Sequence, residues 1–165
     1  MKNPVYARRN INMNLQSLYH INVNCSDFER SLAFYKKLGF SELYDLDVVE
    51  GRALAEVLGL DDPRGRAAIL QLDDHPRACR VDLIEWISPK PIGETPSTLN
   101  HIGFARLCFY TKDIWADYDE LKSEGIETLS APKTLEFSDG SRAEALCFKD
   151  PDGTVLELVG FGKEL

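Results

Sequence analysis

The chain is short of three features, and each shortage narrows what it can be. No apolar run approaches the ~20 residues needed to cross a bilayer, and the opening stretch MKNPVYARRNINMNLQ lacks the apolar core of a secretory signal. A cytosolic location with no membrane partner is the expectation. Positive charge is also scarce: 19 basic residues against 27 acidic ones leave a net charge of −8. That balance argues against nucleic acid as a partner and leaves a small or cationic ligand open. Cysteine is sparse as well. Cys25, Cys79, Cys108 and Cys147 show no CxxC spacing, so free, mostly buried thiols are expected.

What is present is a chain of 165 residues, 44% apolar, long enough to bury a core without disulfides. Its most informative feature is internal duplication. LYHINVNCSDFERSLAFYKKLGF (18–40) lies over FARLCFYTKDIWADYDELKSEGI (104–126) without a gap, so that Asp27 matches Asp113, Lys36 matches Lys122 and Gly39 matches Gly125. Each copy reads as an alternating strand, an Asp-led turn, a helix and a terminating glycine. Ser26 and Glu29 form a capping-box pattern, and Phe28, Leu32 and Tyr35 make a buried stripe, repeated as Ile114, Tyr118 and Leu121. Gly39 and Gly125 suit the left-handed residue after a helix, and Lys36 and Lys122 suit its last turn.

Further strands follow in both copies: FSELYDL, RAAILQL and CRVDLIEW in the first, IETLSAP, RAEALCF and GTVLELVGF in the second. The first copy carries extra residues within 48–65, where ALAEVLG suggests a short helix, read either as a surface loop or as a lid. The predicted fold is α+β, with two tandem βαβββ modules forming a cupped mixed β-sheet and helices on its outer face. Its parts are an N-terminal arm 1–16, a first module 17–87, a linker 88–100 holding Pro89, Pro91 and Pro96, and a second module 101–165.

Alternation along each strand sorts the faces. With Ile21, Val23, Val81, Leu83, Leu107, Phe109, Leu156 and Leu158 turned to the helices, the other face holds His20, Asn22, Asp82, Trp86, Arg106, Cys108, Tyr110, Glu157 and Phe161. Of the four thiols, only Cys108 is expected there. A merely solvated face would not recruit Trp86, Tyr110 and Phe161, so a cavity with a few convergent polar groups is the better reading.

The paired modules, the HINVNCSDFERSLAFYKKLGF opening and the KDPDGTVLELVGF ending resemble the vicinal oxygen chelate superfamily. That group includes glyoxalase I, methylmalonyl-CoA epimerase, extradiol dioxygenases, and the fosfomycin and bleomycin resistance proteins. The resemblance implies the fold strongly and the chemistry weakly, because members share a scaffold and run different reactions. It implies metal-ligand positions at His20, Asp82, Arg106 and Glu157. Arg106 departs from the pattern, since a guanidinium keeps its proton and binds no metal.

Two accounts stay open. In one, His20, Asp82 and Glu157 hold Fe²⁺, Zn²⁺, Mn²⁺ or Ni²⁺ while Arg106 binds substrate. In the other, Arg106 replaces the ion and neutralises Asp82 and Glu157. Electrostatics favours the second, because a guanidinium and a cation on shared carboxylates repel by ~4 kcal/mol per unit charge at 4 Å and an effective dielectric near 20.

Function divides in the same way. An isomerase, lyase or dioxygenase-like enzyme would act on a small oxygen-bearing molecule, with Glu157 or Asp82 as base and the metal or Arg106 stabilising an enolate. A metal-free binding protein would instead sequester a drug or metabolite, with Arg106, Trp86, Tyr110, Phe161, Asn22 and Cys108 around the ligand. A homodimer is expected, because modules of this size make poor independent cores and the superfamily's sheets pair within or between chains. The basic, acid-free arm 1–16 is expected either to cross to the partner subunit or to be disordered.

Overall fold

The computed structural model describes Asn14, residues 17–73 and residues 78–161; apart from Asn14 the arm 1–16 lies outside the described residues. The first module contains β1 (Ile21–Cys25), α1 (Phe28–Lys37), β2 (Ser41–Glu50), α2 (Arg52–Leu58), β3 (Arg64–Gln71) and β4 (Arg80–Ser88). The second contains β5 (Leu107–Tyr110), α3 (Ile114–Ser123), β6 (Lys133–Glu136), β7 (Arg142–Lys149) and β8 (Val155–Gly160). Each module makes a mixed four-stranded sheet, in the orders β1-β4-β3-β2 and β5-β8-β7-β6. This is the α+β, two-module architecture that the duplication predicts, built as two separate sheets. No described helix is long and apolar enough to cross a membrane.

The helices form where the sequence repeats. Asp27 caps α1 by accepting the Arg30 N–H at 3.0 Å, and Asp113 caps α3 by accepting that of Ala116 at 3.0 Å. The expected Ser26–Glu29 capping box is not made, because the Ser26 hydroxyl is drawn away to Asp152. Phe28, Leu32 and Tyr35 are buried as the stripe requires, as are Ile114 and Leu121, with Tyr118 half-buried. Gly39 and Gly125 leave the helices at φ +94° and +69°, backbone that β-carbon-bearing residues rarely adopt.

The loops depart from expectation in places that have local causes. The extra residues of the first copy lengthen β2 to Glu50 and then form α2, closed by Gly59 in the left-handed region. The segment IETLSAP gives one isolated bridge, Thr128 to Phe148, and the fourth strand of the second sheet starts after Pro132. Proline has no N–H to donate, so pairing with β7 resumes beyond it.

One core joins the modules. The α1 stripe packs in a single apolar cluster with Leu146, Phe148 and Leu156 of the second module, and the Phe40 and Phe109 rings meet edge to face at 5.8 Å. The DPDG turn between β7 and β8 serves as a socket for α1. Tyr35 donates its hydroxyl to Asp150 at 3.2 Å. Asp152 accepts the Ser26 N–H at 3.1 Å, the Ser26 hydroxyl and the Arg30 guanidinium at 2.7 Å. Burial pushes the Asp152 carboxyl up, but the hydrogen bonds from Ser26 and Arg30 outweigh it and hold the group below the usual carboxylate range.

Asp152→Ala strands these donors at the junction and is expected to cost about 2 kcal/mol in urea unfolding at pH 7. Because the folded carboxyl is depressed, this stabilisation is complete above the unfolded value of about 3.9 and fades as pH falls through the folded one. An unchanged unfolding midpoint at pH 7 would contradict the socket's role.

Candidate functional site

In each sheet the first and last strands of the module run parallel and adjacent. The register sets Asn22 opposite Asp82 and Cys108 opposite Glu157. His20 and Arg106 stand two residues earlier, just before β1 and β5, diagonal to those acids and within side-chain reach. His20 Nε2 lies 3.8 Å from Asp82 Oδ2. Arg106 Nε donates to Glu157 Oε2 at 2.7 Å.

The two pairs differ in their chemistry. The Asp82 side chain is only 16% exposed, and burial raises its carboxyl above the ordinary range against the opposing pull of His20 and an Asn22 hydrogen bond. Asp82 Oδ1 and His20 Nδ1 are buried with no hydrogen-bond partner, an arrangement that is costly unless a ligand or proton meets it. Arg106 is held firmly charged by the Glu157 hydrogen bond, and its side chain stays 42% exposed.

These are two sites on two sheets. Among the described residues no hydrogen bond or ion pair links His20 or Asp82 to Arg106 or Glu157, and no three His, Cys, Asp or Glu side chains are placed to hold one metal ion. Within one chain, Arg106 neutralises Glu157 alone, and the expected second pairing with Asp82 is not made. The expectation about thiols changes too. Cys147 pairs directly across from Glu157, so it shares a face of the second sheet with Cys108 and flanks the carboxylate from the other side. Counting alternation back from the buried Phe148 would have found it. All four described cysteines are free, but only Cys25 is buried. Burial first, and the Glu157 hydrogen bond second, push the Cys108 thiol up to about 11, and burial raises Cys147. Both are thiols rather than thiolates at neutral pH.

The aromatic residues are likewise divided. Tyr110 and Phe161 stack on the second sheet with centroids 6.2 Å apart. Trp86 lies on the first, donating its Nε1–H to Asn24 Oδ1 at 2.9 Å. It crosses Gly65, where a Cβ would come within 3.2 Å of the indole and 3.1 Å of the Glu85 carbonyl. Asn22, Asn24 and Trp86 line a groove of about 1010 Å³, walled by Leu58 and Leu60 beyond α2 and by the linker from Pro89 to Pro96. Strand alternation already puts Asn24 on one face with His20 and Asn22, but the linker walls escape the sequence, because only the fold brings the linker over β1. A second cavity, of about 370 Å³, lies between α1 and α3, and none of His20, Asp82, Arg106 or Glu157 lines it. His101 takes no part in either face; its ring braces a loop through the carbonyls of Thr98 and Phe104.

This arrangement can be set beside known proteins. Residues 17–158 match the family model of the Glyoxalase/Bleomycin resistance protein/Dioxygenase superfamily. The chain belongs to that superfamily. It is 28% identical over 158 residues to a lactoylglutathione lyase from Pseudomonas putida, an alignment covering 85% of this chain and 82% of that one. A glyoxalase family protein from Bacillus cereus superposes with a TM-score of 0.77 at 18% identity, covering 92% of this chain and 97% of that one. One from Enterococcus faecalis gives 0.63 at 24%, covering 89% and 99%. The two structural likenesses establish the fold alone.

A divalent ion, which this superfamily often uses, does not fit the donors of a single chain here. His20 and Asp82 offer two ligands, while Glu157 is already engaged by a guanidinium.

The raised Asp82 carboxyl carries a stability signature. Its ionised form is disfavoured in the folded state, so it costs stability above its folded pKa, and the cost disappears as pH falls and the folded protein takes up the proton first. Asp82→Asn should therefore melt at or above the parent at pH 8, with the difference shrinking towards pH 4. A variant less stable than the parent at pH 8 would mean that Asp82 is stabilised as a carboxylate.

Proposed function

We propose that this superfamily member acts on a small oxygen-bearing organic molecule by proton transfer beside a carbonyl, without a metal, as a lyase or isomerase. Asp82 is the proton acceptor. Burial brings its conjugate acid closer to working pH than an ordinary carboxyl, which is where a general base is most effective. His20 orients it from 3.8 Å. Arg106 supplies the fixed positive charge for the oxygen of the developing enolate, and Glu157 positions that guanidinium. The observation that supports the reading is the Arg106–Glu157 bond, a permanent cation at a position where the superfamily resemblance implies a metal ligand.

The pairs are apart within one chain, so we assign their meeting to a homodimer in which one copy's first sheet faces the other copy's second. Tyr44, at 55% exposure, and Leu135, at 44%, support this as large apolar residues uncovered in the single chain. A sedimentation coefficient of a monomer at micromolar concentration would remove this part.

The similarity to a lactoylglutathione lyase makes S-lactoylglutathione the first probe. Incubated with the protein in D₂O, it should gain deuterium at the lactoyl Cα by proton NMR, with the rate falling about 100-fold or more in Asp82→Asn and in Arg106→Met. The wide groove with its amides and Trp86 favours a second reading, a binding protein that sequesters its ligand. Binding without exchange, unaffected by Asp82→Asn, would decide for it.

A further inference from the structure

The second sheet has a charged end and an aromatic end. Arg106 and Glu157 hold one end. Tyr110 and Phe161 hold the other, their rings 20° from parallel and 55% and 38% exposed. Beside the rings the floor is low: Ala145 stands across from Val159, and Ala143 is next along the same face of β7. Four residues of extended backbone separate Arg106 from Tyr110, ~13 Å at about 3.3 Å per residue. Among the described residues the guanidinium's hydrogen bond is the one from Nε to Glu157, which leaves its terminal nitrogens to receive an anion.

We infer that this face binds an elongated monoanion carrying a carboxylate at one end, on Arg106, and an aromatic ring at the other, on the Tyr110–Phe161 platform. The assignment rests on the reading of Arg106 as an oxyanion-binding group and adds to it the ring and the spacing. A guanidinium takes a carboxylate through paired charge-assisted bonds, and a planar ring gains from offset stacking on an open aromatic pair. One charge suits the site better than several, because Glu157 already offsets Arg106 and the protein carries a net charge of −8. The first sheet repeats the layout, with His20 and Asp82 at one end and Trp86 at the other.

Isothermal titration of the full chain with hexanoate, phenylacetate, 4-phenylbutyrate and 6-phenylhexanoate tests the assignment. Affinity should rise with the spacer, 6-phenylhexanoate binding about tenfold more tightly than hexanoate while phenylacetate gains nothing from its ring. Tyr110→Leu and Phe161→Leu should close the gap between hexanoate and 6-phenylhexanoate, and Arg106→Met should weaken all four ligands, with Arg106→Lys partly restoring them. Equal affinity for hexanoate and 6-phenylhexanoate, or a ring gain that survives both leucine variants, would overturn the platform while leaving the role of Arg106 intact. Ligand affinities indifferent to Arg106→Met would overturn the oxyanion reading and this assignment with it.

Discussion

Everything at the candidate site depends on the parallel pairing of each module's first strand with its last. A parallel neighbour cannot be reached by a tight turn, so the helix and two further strands must be spent before the chain returns to it. That return brings Asp82 beside Asn22 and Glu157 beside Cys108, residues far apart in sequence. The same diagonal then produces His20–Asp82 in one sheet and Arg106–Glu157 in the other. The duplicated scaffold has kept the geometry while the chemistry has diverged: a buried carboxyl with a histidine on one side, and a fixed ion pair on the other.

The junction between the modules settles how far those pairs can cooperate within a chain. It is built on the helix sides of the sheets, with the α1 stripe against Phe148 and Leu156 and with Tyr35, Ser26 and Arg30 held by Asp150 and Asp152. The opposite faces, which carry Asp82 and Glu157, remain outside that core. Tyr110 and Phe161 are uncovered there in the single chain, while Asp82 and Glu157 are mostly buried beneath His20 and Arg106.

Much of this was legible before any coordinates. Strand alternation is a local property of the backbone, so it puts Asp82 on one face with Asn22 and Glu157 on one face with Cys108, as the registers show, and helix periodicity finds Phe28, Leu32 and Tyr35. What stayed hidden was non-local. The Ser26 hydroxyl is diverted from its expected cap by Asp152, 126 residues away. Cys147 joins Glu157 only through the β7–β8 register. The failure of Arg106 to reach Asp82 follows from which faces the modules use to pack, and a list of residues on a shared kind of face does not contain that information. The delayed fourth strand of the second sheet had a visible cause in Pro132, but the resumption of pairing beyond it required the partner strand.

In the proposed mechanism a guanidinium stands in for a metal ion. An arginine already bonded to Glu157 and a divalent cation sharing that carboxylate would repel strongly in a partly buried site, and the remaining donors, His20 and Asp82, are too few to hold an ion by themselves. Elemental analysis of protein purified without chelator or added metal, with melting curves recorded with and without EDTA, tests this directly. Divalent metal far below one per chain and superimposable melts are the expected result. A content near one ion per chain, together with a melt lowered by EDTA, would contradict it.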